Sequence, residues 1–438
     1  MKTFSMMILG CKVNDFEATY VKNKLLEKYT LVDFKDRADI CVIFTCCVTN
    51  TAEAKTRKFI HQTRRTNPNG YIVVVGCLCQ INPSLKEFKD VDLVIGSTQK
   101  DRIVEYIDSG IKGNFVNTLN KPIFEDLYIN NYPGKDRAFL KIQDGCNQFC
   151  SYCIIPYARG NERSCDHRTI LKEAEELSKN FNEIVLTGIH TGRYYDGEYD
   201  LYHLLKDLIK IEGIKTIRLS SIEITEISDD IIDLIANTNK IAKHLHIPVQ
   251  ALSNEVLKEM HRPYTLEDYI NRVQYIKNKV KDICISTDLI VGFPGETDLI
   301  FKKSLECLDT IKFSFIHVFP YSRKKGTVAD KLDNHIDPLI KKQRVKDVMN
   351  KQKSITKEVY AKFVNTEVEV LIEKNLNNIS YGYSKQYFYV EIDGLYPIGQ
   401  IVNVLITSVN DKIIGKYVSW WFYKKCSSYS DKSTFMWF

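Results

Sequence analysis

Three cysteines near the middle of the chain have the spacing of an iron–sulfur ligand loop. Cys146, Cys150 and Cys153 form a C-x-x-x-C-x-x-C triad directly after a predicted strand. Three thiolates on one loop hold three irons of a [4Fe–4S] cluster and leave the fourth iron open. An open iron chelates S-adenosylmethionine, and one electron then cleaves that cofactor to a 5′-deoxyadenosyl radical. The triad therefore predicts radical chemistry.

A zinc site completed by Cys165, or a chance spacing, is the alternative interpretation of the triad. Structural zinc sites favour paired C-x-x-C arms, and the triad contains only one such arm. Its position at the opening of a predicted barrel favours the iron–sulfur site.

Three further cysteines each follow a predicted strand within the first hundred residues. They are Cys11, Cys46 and Cys77. The carboxyl ends of parallel strands lie along one edge of a doubly wound sheet, so these thiols are expected to converge. The pattern predicts a second iron–sulfur cluster with a free iron. Ordinary buried cysteines are the alternative, because free cysteine is common in protein cores.

The segments that position Cys11, Cys46 and Cys77 alternate between strand and helix patterns. This alternation predicts an α/β, doubly wound parallel-sheet domain over residues 1–116, followed by a polar linker over 117–136. The predicted strands are 4–9, 40–45, 71–75 and 93–95, and the predicted helices are 15–29, 52–66 and 99–107.

From residue 137 the alternation resumes on a longer period. It predicts a (β/α)6 partial TIM barrel over 137–335, with active residues at the carboxyl ends of its strands. A basic helical connection is predicted over 336–362, and alternating apolar residues predict a small all-β barrel over 363–418. No structure is predicted for the tail, 419–438. The six barrel strands are predicted at 138–142, 183–187, 216–220, 244–248, 283–291 and 313–319.

Composition limits the class of protein. The chain has 438 residues, of which 44% are hydrophobic and 26% charged, so long disorder is not expected. No apolar run approaches the roughly 18 residues of a membrane span. With 13 cysteines and no cleavable signal pattern, the sequence favours thiols or metal ligands over disulfides. These features predict a soluble cytoplasmic protein with no membrane partner.

Several motifs resemble the radical methylthiotransferase family, and the resemblance extends over about residues 1–418. The C-terminal region is similar to that family's TRAM domain, a small RNA-binding β-barrel. The motifs are LGCKVN (9–14), TCCVTNTA (45–52), VVGCLCQ (74–80), KIQDGCNQFCSYCIIPYARG (141–160), EIVLTGIHTG (183–192), LHIPVQ (245–250) and VGFPGET (291–297).

The resemblance implies a role for each cysteine within these motifs. Cys11, Cys46 and Cys77 would bind an auxiliary, sulfur-donating cluster, and the C-x-x-x-C-x-x-C triad would bind the radical cluster. Cys47 replaces the family's usual threonine, and Cys79 lies outside the family pattern.

The ends of the barrel strands carry the residues expected at the adenosylmethionine site. Glycine there lets the backbone approach a ligand, although tight turns alone would also explain it. The side chains of Glu223 and Gln250 are expected either to hydrogen-bond the cofactor or to be structural. The chain departs from the family pattern at Ile224, where the family has proline. It departs again at Ala251 and Leu252, where the family has serine-glycine. The candidate cofactor residues are Thr187, Gly188, Glu223, Gln250, Gly292 and Gly295.

Two basic helices are the candidates for RNA binding, and solvated helix faces are the alternative. Residues 338–362 carry eight Lys/Arg against two acidic residues, and such faces attract phosphates. The predicted β-barrel has four Lys against six Asp/Glu, although Tyr383, Tyr387 and Tyr389 offer rings for base stacking. The candidate RNA-binding residues are Lys55, Lys58, Arg65, Lys342, Lys346 and Lys353.

Three polar residues inside the motifs have simpler expected roles. His190 and His246 are expected to satisfy local backbone groups, because the thiolates already account for both clusters. Asp144 is expected to be a turn residue before the cysteine triad.

The resemblance implies an enzyme that inserts a methylthio group at C2 of N6-threonylcarbamoyladenosine, beside the anticodon of tRNA. It implies two [4Fe–4S] clusters, with S-adenosylmethionine as both methyl donor and radical source. The expected partners are the tRNA anticodon stem-loop, an unidentified electron donor and a sulfur source. The alternatives are the same chemistry on N6-isopentenyladenosine or on a ribosomal-protein aspartate, and a non-catalytic iron–sulfur RNA-binding sensor.

Overall fold

The computed structural model describes residues 1–84 and 86–418, so the tail at 419–438 lies outside the described residues. The first domain is a six-stranded, fully parallel sheet in the order β2-β1-β3-β4-β5-β6, and the predicted doubly wound sheet is confirmed. Its elements are β1 (Thr3–Ile8), α1 (Lys12–Leu26), β2 (Thr30–Leu31), β3 (Ile40–Thr45), α2 (Asn50–Thr66), β4 (Tyr71–Gly76), α3 (Cys77–Ile81), β5 (Leu93–Ile95), α4 (Ile103–Asp108) and β6 (Gly113–Phe115).

The central strands of this sheet were predictable because both of their faces are covered. All six residues of β3 are buried, which gives the continuous apolar run that parallel strands show. α2 begins where the Thr49 side chain accepts a hydrogen bond from Ala52 N at 3.1 Å. Strands β2 and β6 were not predicted, since they have only two and three residues and form the edges of the sheet.

Six parallel strands form the predicted partial barrel, in the order β7-β10-β11-β12-β13-β14. Two three-stranded sheets are joined through single bridges, one of them between Ser221 and His246. The elements are β7 (Ala138–Lys141), β8 (Gln143–Asp144), α5 (Ile155–Arg159), β9 (Arg163–Ser164), α6 (His167–Ser178), β10 (Glu183–Thr187), α7 (Leu201–Leu208), β11 (Thr216–Leu219), α8 (Asp229–Asn237), β12 (His244–His246), α9 (Asn254–Glu259), α10 (Leu266–Lys279), β13 (Cys284–Val291), α11 (Asp298–Ile311) and β14 (Phe315–Pro320).

A 24-residue helix leads from the partial barrel to a closed five-stranded barrel, which is TRAM-like as predicted. Arg218 of β11 donates hydrogen bonds to the backbone carbonyls of Ser384 and Lys385, so the small barrel docks on the partial barrel. The elements are α12 (Pro338–Ala361), β15 (Glu367–Leu376), β16 (Ile379–Ser384), β17 (Tyr389–Asp393), β18 (Ile401–Val409) and β19 (Ile413–Tyr417).

The predicted linker, 117–136, contains no helix or strand but packs firmly against the partial barrel. Leu127, Ile129 and Tyr132 are each no more than 2% exposed and belong to the barrel's hydrophobic core. This segment therefore fixes the first domain against the barrel. Among the described residues, no helix is both long and apolar enough to cross a membrane.

Candidate active site

The sheet-edge cysteines, Cys11, Cys46 and Cys77, lie together where the strand order of the first sheet reverses. They follow β1, β3 and β4, respectively. Connections leave β1 and β3 in opposite directions, which opens a crevice between their carboxyl ends where doubly wound sheets bind ligands. A Cβ added at Gly10, whose φ is +118°, would lie 3.1 Å from Cys46 Cβ. The two turns therefore approach closely, and the three thiols influence one another's pKa values.

Cys47 and Cys79 differ in their relation to the sheet-edge cysteines. Cys47 is hydrogen-bonded to Cys77, and this bond, together with the charge of Arg159, lowers the pKa of Cys77 to about 6 although burial opposes it. Cys79 belongs to the core of the first domain, where its sulfur is 3.8 Å from Thr45 Oγ1 and burial raises its pKa. Cys47 thus places a fourth thiol beside the group.

Arg159, at the end of α5, is fully buried and connects the partial barrel to the sheet-edge cysteines. Its Nε donates a hydrogen bond to Cys77 Sγ at 3.3 Å, and its Nη2 donates to Asn14 Oδ1 at 2.8 Å. Asn14 in turn donates to the backbone carbonyls of Leu9 and Thr45, both at 2.7 Å. The guanidinium is therefore anchored to the turns that carry Cys11 and Cys46.

A buried ion-pair cluster surrounds Arg159 and contains more positive than negative side chains. Burial raises the pKa of Glu17, but the charges of Arg159 and Lys100 lower it to about 2. Because an unmatched buried charge is costly, the excess positive charge favours an anion beside it. Cys77 lies there, so this donor set fits a metal-bound thiolate. The described members of the cluster are Lys100, Lys141, Arg159, Arg163, Glu17, Glu125 and Asp144.

The barrel cysteine loop, Cys146, Cys150 and Cys153, lies between β8 and α5 at the carboxyl end of the partial barrel. All three thiols are free and half-buried. Ser151 fixes the loop by donating its backbone N–H to Met260 O at 3.1 Å. Burial raises the pKa of Cys150, and that of Cys153 to about 12. A bound metal would favour the thiolate forms, and three thiolates on one loop fit a [4Fe–4S] cluster with an open iron.

Two cationic groups contact the barrel cysteine loop. Arg262 Nη1 donates to Cys150 Sγ at 3.3 Å, and Arg262 also forms a hydrogen-bonded ion pair with Glu223. His190 Nδ1 lies 3.4 Å from Cys146 Sγ, and its Nε2 lies 2.7 Å from a carboxylate oxygen of Glu226. The expectation that His190 satisfies local backbone is wrong, because its ring contacts a cysteine and carboxylates.

His246 and Asp144 also differ from their expected roles. His246 contacts Ser286 Oγ at 2.9 Å and Asp288 Oδ1 at 3.3 Å, so its side-chain partners are not local backbone groups. Asp144 accepts a hydrogen bond from Gly145 N, as a turn residue would, but it is also paired with Lys141 at 2.8 Å. Asp144 is therefore part of the buried ion-pair cluster.

Cys165 is separated from the barrel cysteine loop by its packing. Its side chain is 6% exposed and belongs to the hydrophobic core of the partial barrel. Its thiol is perturbed by burial and by Asp126 and Glu173 rather than by the loop thiols. This placement removes the fourth ligand on which the zinc alternative depended.

The candidate cofactor residues lie at the carboxyl ends of the barrel strands. Thr187 is buried at the end of β10, and a Cβ added at Gly188 would lie 3.0 Å from Gln143 O. Gln250 has a positive φ of 63° and donates its backbone N–H to Asp288 O at 2.9 Å.

The two glycines after β13 differ from each other. A Cβ added at Gly292 would lie 2.2 Å from Lys341 Cγ, so a side chain of α12 fills the space beside this glycine. No atom lies within 4 Å of a Cβ added at Gly295, among the residues that the structure describes. Gly295 therefore leaves more room for a ligand than Gly292.

The candidate RNA-binding residues are exposed on two helices. Three lie on α2 at helical spacing, and three lie on one face of α12. The start of α2 contacts the loop after β14 through the ion pair between Glu53 and Lys324, at 2.6 Å. Within 1–84 and 86–418, no ion pair involves any of the six: Lys55, Lys58, Arg65, Lys342, Lys346 and Lys353.

Sequence reasoning missed the charged residues that join the domains. Arg159 and Lys141 stand inside the quoted motif at 141–160, but nothing there indicates that Glu17 is their partner. Arg262 follows the barrel's fourth strand and carries no motif of its own.

Comparisons with known proteins cover both cysteine groups. The Radical SAM superfamily model matches residues 140–308, and that of Uncharacterized protein family UPF0004 matches residues 3–96. The threonylcarbamoyladenosine tRNA methylthiotransferase MtaB of Bacillus subtilis (strain 168) is 38% identical, over 93% of this chain and 94% of the relative. The tRNA-2-methylthio-N(6)-dimethylallyladenosine synthase of Alkaliphilus oremlandii (strain OhILAs) is 34% identical, over 94% and 93%.

A solved structure supports the fold. The radical S-adenosylmethionine methyltransferase TsrM from Kitasatospora setae matches with a TM-score of 0.57 at 13% identity, over 75% of this chain and 74% of that one. At this identity the likeness concerns the fold alone. The relatives, however, are similar along nearly their whole length, and their names describe a tRNA methylthiotransferase or a synthase of a 2-methylthio adenosine in tRNA. The chain therefore belongs to the radical S-adenosylmethionine methylthiotransferase family of tRNA-modifying enzymes.

Proposed function

We propose that this chain inserts a methylthio group at C2 of N6-threonylcarbamoyladenosine in tRNA, beside the anticodon, and acts in the cytoplasm. One observation carries the proposal: α5, the helix that directly follows the barrel cysteine loop, ends in the buried Arg159, which donates a hydrogen bond to Cys77 Sγ of the sheet edge. Insertion of sulfur at an aromatic C–H needs both a radical source and a sulfur source, since that carbon offers no readily removed proton. Two three-thiol groups, one in each of two domains linked by Arg159, meet this requirement.

The sheet-edge cysteines would hold a second [4Fe–4S] cluster, and the barrel cysteine loop would hold the radical cluster. When bound, these clusters supply an electron for cleavage of S-adenosylmethionine and sulfur for transfer. The chain itself supplies position and charge. Arg262 restrains Cys150 and Glu223 together, and Arg159 holds the turn that carries Cys77 against the barrel.

The relatives favour the threonylcarbamoyl substrate. Proteins named for that substrate in Bacillus subtilis and Aquifex aeolicus are each 38% identical to this chain. Those named for N(6)-dimethylallyladenosine are 33 to 34% identical, as are the proteins named for the threonylcarbamoyl substrate in Chlamydia pneumoniae and Thermotoga maritima. The motif KVN at 12–14, which resembles the threonylcarbamoyl branch, points to the same substrate.

The exposed lysines of α12 support approach of tRNA to this site. Lys342, Lys346 and Lys353 face solvent on one side of the helix, and free cations attract phosphates without reading sequence. The opposite side of α12 is held on the barrel by Arg344, which pairs with Glu296 at 2.6 Å. The helix thus presents charge outward from a fixed position.

The proposal is tested with purified protein whose clusters have been reconstituted without oxygen. The protein receives S-adenosylmethionine, a reductant and two anticodon stem-loop RNAs, one carrying N6-threonylcarbamoyladenosine and the other N6-isopentenyladenosine. Mass spectrometry of the digested RNA is expected to find the 2-methylthio product of the threonylcarbamoyl RNA. Conversion of only the isopentenyl RNA would contradict the substrate, and conversion of neither would direct attention to a ribosomal protein. Cys150→Ala serves as the inactive control.

A further inference from the structure

A cleft of about 930 Å³ lies between α12, the small barrel and the partial barrel. Ligand clefts in proteins commonly occupy about 300–1,000 Å³, so this one has room for a nucleotide. Its walls include Lys353 of α12, Phe315 of β14 and Tyr389 of β17. Among the described residues that line it there is no member of the sheet-edge cysteines or of the barrel cysteine loop. The cleft is therefore separate from both cysteine groups.

Aromatic rings extend along the cleft from a buried side chain to exposed ones. Tyr387 stacks on His244 with ring centroids 4.8 Å apart, and Tyr383 stacks on Tyr387 at the same distance. Tyr383 also lies 4.9 Å from Tyr389. His244 is 5% exposed, whereas Tyr389 is 40% and Phe315 is 45% exposed. Proteins that bind single-stranded nucleic acid offer such exposed rings to bases for stacking.

Two lysines of α12 add positive charge to the cleft. Lys353 and Lys357 are exposed, and within the part of the chain that the structure describes no hydrogen bond or ion pair engages their ammonium groups. Of the acidic residues in the lining, Glu391 is paired with Lys412 at 2.9 Å, which leaves Asp411. Two unpaired cations against one unpaired carboxylate make the cleft positive, and this charge favours a ligand that carries a phosphate.

The lysines of the cleft continue the exposed basic side of α12. Lys353 follows Lys346 by seven residues, and Lys357 follows Lys353 by four, so all three lie on one side of the helix. The row that begins at Lys342 and ends at Lys357 is about 22 Å long. An RNA backbone that follows this row would therefore bring a nucleotide to the cleft.

Two buried polar atoms in the walls of the cleft lack hydrogen-bond partners among the described residues. They are Nδ1 of His244 and Oε1 of Gln352, whose side chains are 5% and 7% exposed. A buried polar atom costs free energy when it has no partner. An unstacked RNA base carries hydrogen-bond donors and acceptors on its edges. These walls therefore suit a base better than a hydrocarbon.

The cleft lies far from the strand ends that carry the barrel cysteine loop. Ser286 of β13 lines the cleft, and β13 continues for five residues to Val291. Strands rise about 3.3 Å per residue, so about 16 Å separate the cleft from the carboxyl end of this strand. The adenosine that reacts must reach that end, beside the cysteines. A nucleotide in the cleft is therefore not the one that reacts.

We propose that the cleft binds an unpaired nucleotide of the tRNA substrate other than the modified adenosine. Its base stacks on the rings of Phe315 and Tyr389, and its phosphate is attracted by Lys353 and Lys357. The inference rests on the proposed function in one respect, namely that the substrate is tRNA. It adds a second binding site to that function, which restrains the RNA loop while the adenosine is modified.

The test measures binding rather than turnover. Holoenzyme with reconstituted clusters is titrated, without oxygen, against fluorescent anticodon stem-loops that carry N6-threonylcarbamoyladenosine. In a series of these RNAs, each unpaired nucleotide other than the modified one is replaced in turn by an abasic residue. One replacement is expected to weaken binding about tenfold, because the missing base no longer stacks on the protein. The RNA with this replacement is called the sensitive RNA.

Tyr389→Leu removes a ring but keeps an apolar side chain, and it is expected to bind the intact RNA about fivefold more weakly than the wild type does. It should bind the sensitive RNA as the wild type binds it, because the ring and the base belong to one contact. Phe315→Leu, on the other wall of the cleft, is expected to behave in the same way and replaces Tyr389→Leu if that variant fails to fold.

Tyr417→Leu is the matched control, because Tyr417 is 44% exposed on the same small barrel but is not part of the lining of the cleft. It is expected to bind every RNA of the series as the wild type does. Circular dichroism spectra and iron content establish that each variant is folded and that its clusters are intact.

Equal binding of the intact RNA and of every abasic RNA by the wild-type protein would overturn the inference. It would also be overturned if the losses from Tyr389→Leu and from the abasic replacement added fully. If the wild-type protein nevertheless converts the threonylcarbamoyl RNA to its methylthio product, the proposed function stands without this cleft. Failure of the holoenzyme to bind or convert any of the RNAs would overturn both.

Discussion

Arg159 Nε lies 3.3 Å from Cys77 Sγ, although the two residues are 82 positions apart in the chain. This contact crosses from the partial barrel to the first domain and links α5, which follows the barrel cysteine loop, to the sheet-edge cysteines. Arg159 also pairs with Glu17 at 2.5 Å, so one guanidinium contacts both the sulfur of Cys77 and the buried ion-pair cluster. Arg159 therefore contributes, together with the Lys141–Glu17 ion pair, to holding the first domain against the partial barrel.

Replacement of Arg159 by methionine is expected to destabilise the fold and the sheet-edge site together. Removal of one partner from a buried ion-pair cluster costs about 3 kcal/mol of unfolding free energy. Loss of the contact to Cys77 is expected to lower iron content from about eight toward about four atoms per chain. Arg163→Met is the control, because Arg163 pairs with Asp144 at 3.0 Å. It should destabilise the chain but retain its iron, and equal iron loss in both variants would contradict the specific role of Arg159.

Substitutions in the two cysteine groups are expected to abolish different steps of the reaction. Cys150→Ala should abolish formation of 5′-deoxyadenosine, because it removes a ligand of the proposed radical cluster. Cys46→Ala should retain 5′-deoxyadenosine formation but lose sulfur insertion into RNA. Cys47→Thr is the neighbouring control and is expected to keep both clusters. Chromatography of the reaction products distinguishes the cases, and full sulfur insertion by Cys46→Ala would refute the proposed sulfur-donating role of the sheet edge.

The exposed face of α12 is expected to contribute to tRNA affinity through charge alone. Simultaneous replacement of Lys342, Lys346 and Lys353 by alanine should reduce the slope of log K against log salt by about 2 to 3, since each phosphate contact contributes about 0.9. Lys351→Ala is the control, because Lys351 is already paired with Asp309 at 2.5 Å. A slope that stays unchanged in the triple variant would place the RNA elsewhere.

Glu173 is expected to make the fold less stable as pH rises. Burial raises its pKa from the usual 4.5 to about 8, and its side chain accepts a hydrogen bond from Ile129 N at 3.1 Å. The folded chain thus holds a proton that the unfolded chain releases. The contribution of Glu173 to the free energy of unfolding is therefore full below pH 4.5 and is lost as pH rises through 8. Between pH 5 and pH 9, the free energy of unfolding of Glu173→Gln should rise, relative to that of the wild type, by on the order of 3 kcal/mol.

Thermal unfolding across this pH range measures the difference. Glu175→Gln, on the exposed side of the same helix α6, is the control and should follow the wild type. Parallel curves for wild type and Glu173→Gln would contradict a buried, protonated Glu173.

The architecture and the cysteine groups could be predicted because they depend on local patterns. Buried parallel strands such as β3 show as continuous apolar runs, and the ends of successive strands necessarily meet at one sheet edge. The convergence of Cys11, Cys46 and Cys77 follows from this geometry. Strands β2 and β6 escaped prediction because they are short and largely exposed, whereas β5, also of three residues, is fully buried and apolar.

The charged groups around the site could not be predicted, since their partners are distant in sequence. Arg159 and Glu17 are 142 positions apart, and neither residue type indicates burial by itself. His190 likewise contacts a cysteine 44 positions away. Such pairings depend on how the two domains dock, and the linker at 117–136, which contributes Glu125 to the ion-pair cluster, was expected to be polar rather than packed.

The most direct test of the account is mass spectrometry of tRNA nucleosides from cells with and without this gene. The account predicts that 2-methylthio-N6-threonylcarbamoyladenosine disappears without the gene and that N6-threonylcarbamoyladenosine accumulates. An unchanged level of 2-methylthio-N6-threonylcarbamoyladenosine would contradict it, whether or not the isopentenyl product is lost.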